Sequence, residues 1–283
     1  MIANPGCVGK VSRHAVRAAA ALAVLLAPSC MFLGDSRDPI PHESIAATAA
    51  APTHPLVVML PGLEDDAEVV HRHGVDGAVQ RAWPVADLVI TATTYPYYRD
   101  ARLVKHLQRE IIEPARRKGY REIWLAGGSM GGLGALMYEH EHPGEAAAIV
   151  LLSPYLGGTF LLREIRDAGG VRKWHPGALP AHLTADDYRR QVWAMVKTWD
   201  RHPELAQRVW LICGSEDQML PGARLLAEML PPGHYIERPG RHDWDFWVPA
   251  AEEIFRVALQ ARGQTPDPVS PLSTGALGAP SSQ

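Results

Sequence analysis

The chain has 283 residues, enough for one α/β domain with an insertion or for two small domains. Its 47% hydrophobic and 21% charged residues describe an ordinary soluble globular protein. A net charge of −3 leaves no footprint for nucleic acid and no argument for an anionic membrane surface.

Lys10, Arg13, His14 and Arg17 precede an apolar stretch, Ala18 to Ala27. At about ten residues it fits the core of a signal peptide and falls short of the ~17–25 needed to span a bilayer. Leu26-Ala27-Pro28-Ser29-Cys30 is similar to a bacterial lipobox, with Ala27 and Pro28 where Leu and Ala are usual. Residues 1–30 therefore read as a signal peptide of an exported protein, periplasmic or anchored to the membrane by lipid on Cys30. An uncleaved anchor, or a cytoplasmic protein with a mis-assigned start, is the alternative. Cys7 and Cys30 belong to this leader, so Cys213 stands alone in the body of the chain and no internal disulfide is available to it. Cys213 lies in an apolar run, as a small core residue would.

Asp35 to Pro55 is rich in Pro, Ala, Thr and His and has no period, which predicts a linker over 31–54. Leu56 to Leu60 is a continuous apolar run, as in a strand buried on both faces of a parallel sheet. Pro61-Gly62-Leu63 turns out of it. Glu64 to Arg81 has mixed helical character, interrupted by Gly74 and Gly77. Asp87 to Ala92 is the next buried strand. Tyr95, Tyr97 and Tyr98 follow its carboxyl end, where they either line a pocket or pack under a loop. Leu103, Leu107, Ile111 and Ala115 give one apolar helical stripe, with Asp100 suited to the N-cap and Gly119 to the stop. Pro114 should kink or break the last turn, at about 3 kcal/mol if unrelieved.

Ile123 to Gly128 reads as a buried strand, followed by Ser129 and an apolar helix. Gly127-x-Ser129-x-Gly131 is G-x-S-x-G in the strand–turn–helix setting that motif requires. Such a turn strains the serine backbone, and the flanking glycines avoid collision with neighbouring chain. The hydroxyl of Ser129 would project above the sheet, with the Met130 amide aimed at whatever it attacks. Ala147 to Leu152 is another strand. The stretch from Gly157 to Gln207 is too long for a plain crossover and predicts a helical cap, packed down by Trp174, Trp193 and Trp199. Val209 to Cys213 and Tyr235 to Arg238 are the last strands. A final helix is expected from about Pro249, and 263–283 is Pro/Ser/Gly-rich and expected to be disordered.

A serine hydroxyl needs a base, and the base needs a group to fix its tautomer. Gly214-Ser215-Glu216-Asp217 places Asp217 after a buried strand, with Glu216 the nearest rival acid. His242 follows the final strand. Ser129, Asp217 and His242 then stand in the chain order of α/β hydrolases. Ser129-Met130-Gly131-Gly132 and His242-Asp243-Trp244-x-x-Trp247 resemble the nucleophile and histidine segments of the α/β-hydrolase superfamily, most closely its esterase D branch, and the resemblance spans roughly Leu56 to Arg262. It implies an α/β-hydrolase domain over 55–262, a mostly parallel sheet flanked by helices; it does not extend to the cap at about 157–207, which is read from its length and its place between late core strands. It also implies an oxyanion hole from the backbone amides of Met130 and Leu63, although Pro61 stands where many relatives have His and a simple strand-to-helix turn would fit the same residues. The expected activity is hydrolysis of a small-molecule carboxylic ester through an acyl-enzyme on Ser129. Acyl transfer to an alcohol or sugar by the same triad, and a non-catalytic binding module, are the alternatives. The pairs His71/His73 and His140/His142 diverge on a helix, and neither a zinc motif nor a phosphate loop occurs, so no metal or cofactor is expected.

Overall fold

The computed structural model describes residues 39–63 and 65–264. The signal-peptide segment 1–30, the Cys30 lipobox and residues 265–283 of the tail lie outside the described residues. Seven strands form the sheet: β1 (His42–Ile45), β2 (Leu56–Leu60), β3 (Asp87–Thr91), β4 (Ile123–Gly128), β5 (Ala148–Leu152), β6 (Val209–Gly214) and β7 (Tyr235–Arg238). Their order is β1-β3-β2-β4-β5-β6-β7, all parallel except β1. Every residue of β2, β5 and β6 is buried, because helices cover both faces.

On one face lie α1 (Ala67–His73), α2 (Val75–Ala82) and α10 (Trp244–Ala261), against Val57, Trp124, Val150 and Trp210. On the other lie α3 (Tyr95–Arg99), α4 (103–117) and α5 (Met130–Glu141), against Val58, Leu125 and Leu151. The chain leaves β2 toward β3 and then returns to the far side of β2 as β4. The strand order therefore reverses between β2 and β4, and the crevice at their carboxyl ends is where ligands of open α/β sheets bind.

Four local expectations are corrected. The predicted linker contains β1, whose four polar or half-exposed residues pair with β3 on one side only, so no hydrophobic period marked it. Asp100 does not cap the helix after it; it closes α3 and pairs with Arg99, and Arg102 holds the N-cap position of α4. Pro114 does not break α4, because a π turn at Gln108–Ile112 immediately before it changes the bonding register and the helix continues to Arg117. The last helix starts at Trp244 rather than Pro249, with the Asp243 carboxylate accepting the Phe246 amide at its N-cap.

The insertion between β5 and β6 holds α6 (Thr159–Asp167), α7 (Tyr188–Thr198) and α8 (Pro203–Ala206), and α9 (Leu220–Ala227) joins β6 to β7. Trp174, Trp193 and Trp199 are all buried, as expected. The Trp193 indole donates to the Leu156 carbonyl at 2.7 Å, which fastens α7 to the loop after β5. Glu141 at the end of α5 accepts from the Leu183 amide and pairs with His182. Within the insertion, Glu164 on α6 accepts from Arg190 on α7 and from the Trp174 indole.

Those two donors hold the Glu164 carboxyl near a pKa of about 2, against an ordinary value of 4.5. Its contribution to stability is thus complete above about pH 4.5 and lost as the pH falls toward 2. Because the side chain is 44% exposed, water screens the pair and the contribution should stay near 1 kcal/mol or below. Glu164→Gln keeps an acceptor for Trp174 but loses the charge. Urea titrations at pH 7 should show the variant less stable by about that amount, and the gap should close as the pH approaches 2.

Candidate active site

The turn after β4 is set by contact distance. A Cβ built on Gly131 would lie 1.8 Å from the Leu60 carbonyl oxygen, and one on Gly127 would lie 2.4 Å from that of Gly131. Only glycine lets α5 start this close to β2 and β4. Ser129, between them, adopts φ 50° and ψ −117°. A non-glycine residue there costs on the order of 1–3 kcal/mol, and the surrounding bonds enforce it. Its amide donates to Leu152 O at 3.0 Å, and its carbonyl accepts from the amides of Gly132 at 3.1 Å and Tyr155 at 2.8 Å.

The structure brings together the three side chains named from the sequence. His242 Nε2 lies 3.0 Å from Ser129 Oγ. His242 Nδ1 lies 2.9 Å from each oxygen of Asp217. The Asp217 side chain is fully buried and that of His242 is 17% exposed. Burial pushes the Asp217 carboxyl up, but hydrogen bonds from His242 and the Met219 amide, together with the adjacent Ser153 hydroxyl, outweigh it and hold the group below its usual range. Asp217 therefore carries its negative charge against the imidazole at neutral pH. Glu216, the rival acid, faces solvent and pairs with Arg241.

The turns carrying Asp217 and His242 are locked to each other. A Cβ on Gly214 would lie 2.3 Å from the Gly240 carbonyl oxygen, which accepts the Glu216 amide at 2.9 Å. Trp247 meets the His242 ring edge-on at 4.7 Å, Trp244 meets Trp247 at 4.9 Å, and His73 stacks on Trp244 at 4.5 Å. His73 is thus a prop for the aromatic stack behind His242. Cys213 is buried, and that burial pushes its thiol up to about 12, consistent with a core role.

The Pro61–Leu63 turn also reaches the site. A Cβ on Gly62 would lie 3.6 Å from that of Ser129. Met130 supplies the first amide of α5, one of the amides a helix leaves without an internal partner. Tyr97 and Tyr98 pack in the core, whereas Tyr95 is half-buried at the rim. Ser153, Tyr155 and Arg189 were not singled out in the sequence. Ser153 is buried at φ 44° beside Asp217, without full hydrogen-bond geometry to it. The only sequence signal was its place in Ser153-Pro154-Tyr155, directly after a buried strand.

Residues 91–256, more than half of the chain, match the family model described as Putative esterase. The protein belongs to this family of esterases. No match is found among curated proteins. Among solved structures it is similar to Est1E from Butyrivibrio proteoclasticus, at 17% identity and TM-score 0.57 over 81% of this chain and 97% of that one. A ferulic acid esterase is similar at 17% identity and TM-score 0.55, over 78% of this chain and 99% of that one. So is a fluorophosphonate-binding serine hydrolase from Staphylococcus aureus, at 14% identity and TM-score 0.55, over 78% and 99%. At these identities the likeness establishes a shared α/β-hydrolase fold.

Gly131→Ala should be destabilised by about 3 kcal/mol or fail to fold, since the methyl group would meet backbone that cannot yield. Thermal denaturation beside the wild type checks this, and an unchanged melting temperature would contradict the close approach.

Proposed function

We propose that this esterase hydrolyses small carboxylic esters through an acyl-enzyme on Ser129, with His242 as general base and acid and Asp217 as its orienting carboxylate. The observation that carries the reading is the continuous chain from Ser129 Oγ through His242 to Asp217, at 3.0 and 2.9 Å. Ser129 Oγ attacks the ester carbonyl carbon while His242 Nε2 takes its proton. The buried Asp217 carboxylate holds the Nδ1–H and stabilises the imidazolium that forms. The carbonyl oxygen becomes an oxyanion, received by the Met130 amide and, from the turn beside Ser129, by that of Leu63. His242 then protonates the departing alkoxide, the C–O bond breaks and the alcohol leaves. Water, deprotonated by the same imidazole, attacks the acyl-serine and releases the acid.

Support comes also from the family, and from a fold neighbour described as a fluorophosphonate-binding serine hydrolase. Ser129→Ala should lower kcat for 4-nitrophenyl acetate by about 10⁶ and abolish fluorophosphonate labelling, with the circular dichroism spectrum unchanged. Asp217→Asn should cost about 10⁴ in kcat while labelling persists slowly. Substantial turnover by Ser129→Ala would assign the nucleophile elsewhere.

Residues 1–30 have the charge and apolar pattern of an export signal, and on that pattern we place the enzyme outside the cytoplasm. Fractionation of a bacterium expressing the full chain should recover it, shortened at the N-terminus, with periplasm or membranes; full-length protein confined to cytosol would reject export.

A further inference from the structure

Arg189 on α7 has no anionic partner among the described residues. Its guanidinium lies 4.3 Å from the Tyr188 ring centre and 5.9 Å from that of Tyr155, with Tyr95 nearby. Glu164, the nearest acid on the facing cap helix, is taken by Arg190. Among the described residues no carboxylate forms an ion pair with Arg189, and tyrosine rings face its guanidinium instead. Two polar atoms in this cluster are buried without a hydrogen-bond partner: Arg189 Nε and the Tyr188 hydroxyl. Buried polar groups are ordinarily paired, so two orphans side by side call for an explanation. Arg189 Nε can only donate and the Tyr188 hydroxyl is free to donate, so each calls for an acceptor oxygen.

The cluster gathers at the carboxyl edge of the sheet, on the Ser129 side. Tyr95 follows the carboxyl end of β3, and Tyr155 follows β5. Between those strands lie β2 and β4, which lead into the Pro61–Leu63 turn and Ser129. Tyr155 is itself tied to Ser129 by the 2.8 Å amide-to-carbonyl bond. An arginine serving only to pack the cap would be expected to give its forked donors to a carboxylate or to backbone carbonyls, as Arg190 and Arg208 do.

We infer that Arg189 and Tyr188, walled by Tyr95 and Tyr155, form a subsite for a free carboxylate carried by the ester substrate. The inference rests on the ester-hydrolase reading and narrows it to acidic esters. A planar carboxylate offers two oxygens to a guanidinium edge and a phenol, and desolvation by the tyrosines strengthens both bonds.

The test uses two matched pairs. In 4-nitrophenyl hydrogen glutarate the carboxylate is on the acyl side, and its methyl ester is the neutral control. In 4-acetoxybenzoate it is on the alcohol side, and methyl 4-acetoxybenzoate is the control. The wild type should prefer the acid in one pair, which also identifies the side, and Arg189→Met should lower that acid-to-neutral ratio of kcat/KM by about 10- to 100-fold. Arg189→Lys should restore part of it. If Arg189→Met does not fold, Tyr188→Phe removes a single donor and should lower the ratio about fivefold. No preference for either acid would overturn the subsite, while turnover of the neutral esters would leave the esterase reading standing. Binding is read separately, by calorimetry of Ser129→Ala with monomethyl glutarate and with 4-acetoxybenzoate. Binding that disappears when Arg189→Met is added supports the subsite even if no ester is turned over, and no binding of either acid overturns it.

Discussion

The approach of α5 to the ends of β2 and β4 fixes the Ser129 side of the site, on which the rest is assembled. With the Gly131 Cα position lying against the Leu60 carbonyl, the first turn of the helix has one place to go. That placement forces Ser129 into its strained conformation and aims its hydroxyl out of the sheet. It also brings the amide end of α5 and the Pro61–Leu63 turn to the same side of the hydroxyl. A larger residue at Gly127 or Gly131 would move the Ser129 hydroxyl and the Met130 amide together, so the geometry cannot be tuned one part at a time.

His242 is held differently, by side chains and by a neighbouring turn. The backbone contact of Gly214 with Gly240 couples the Asp217 and His242 loops, while Trp247, Trp244 and His73 form a stack behind the imidazole. The carboxylate and the ring can therefore keep their 2.9 Å contacts only as long as β6 and β7 stay in register. Ser129 is positioned from one half of the sheet and His242 from the other. The ion pair of buried Glu139 with half-buried Arg208 links them, since Glu139 sits near the end of α5 and Arg208 immediately precedes β6. Glu139 is wholly buried, and loss of its partner would leave a charge in the core that burial already pushes toward protonation.

What the sequence made legible was local grammar. Ser129, Asp217 and His242 each follow a strand by a few residues, and a buried strand announces itself as an apolar run. The glycine pattern around Ser129 could be read as close approach, because Gly131, Gly132 and Gly134 are poor helix formers whose cost makes sense where a helix must lie close to the sheet. β1 could not be read, because an edge strand with exposed residues has neither run nor period. Nor could the continuation of α4 through Pro114, which depends on a π turn that propensity does not encode. The Arg189 cluster was invisible for a deeper reason. Tyr95, Tyr155 and Tyr188 come from three elements, and only the tertiary placement of the insertion brings them together.

Backbone strain offers a view of the site that owes nothing to family membership. Among the described residues, three non-glycine positions have positive φ: Ala101, Ser129 and Ser153. Two of these end adjacent parallel strands, β4 and β5, and their backbones are joined through the same loop, with Ser129 N on Leu152 O and Tyr155 N on Ser129 O. Ser153 in turn donates its amide to Ile212 O of β6, and its buried hydroxyl lies beside the Asp217 carboxylate. Strain of this kind persists only where surrounding bonds over-determine it. Here it runs across three neighbouring strands, from the Ser129 turn to the side of the Asp217 carboxylate. A fold optimised for stability alone would have relaxed both serines. That it keeps them side by side at the carboxyl edge of the sheet is a physical reason to locate the chemistry there.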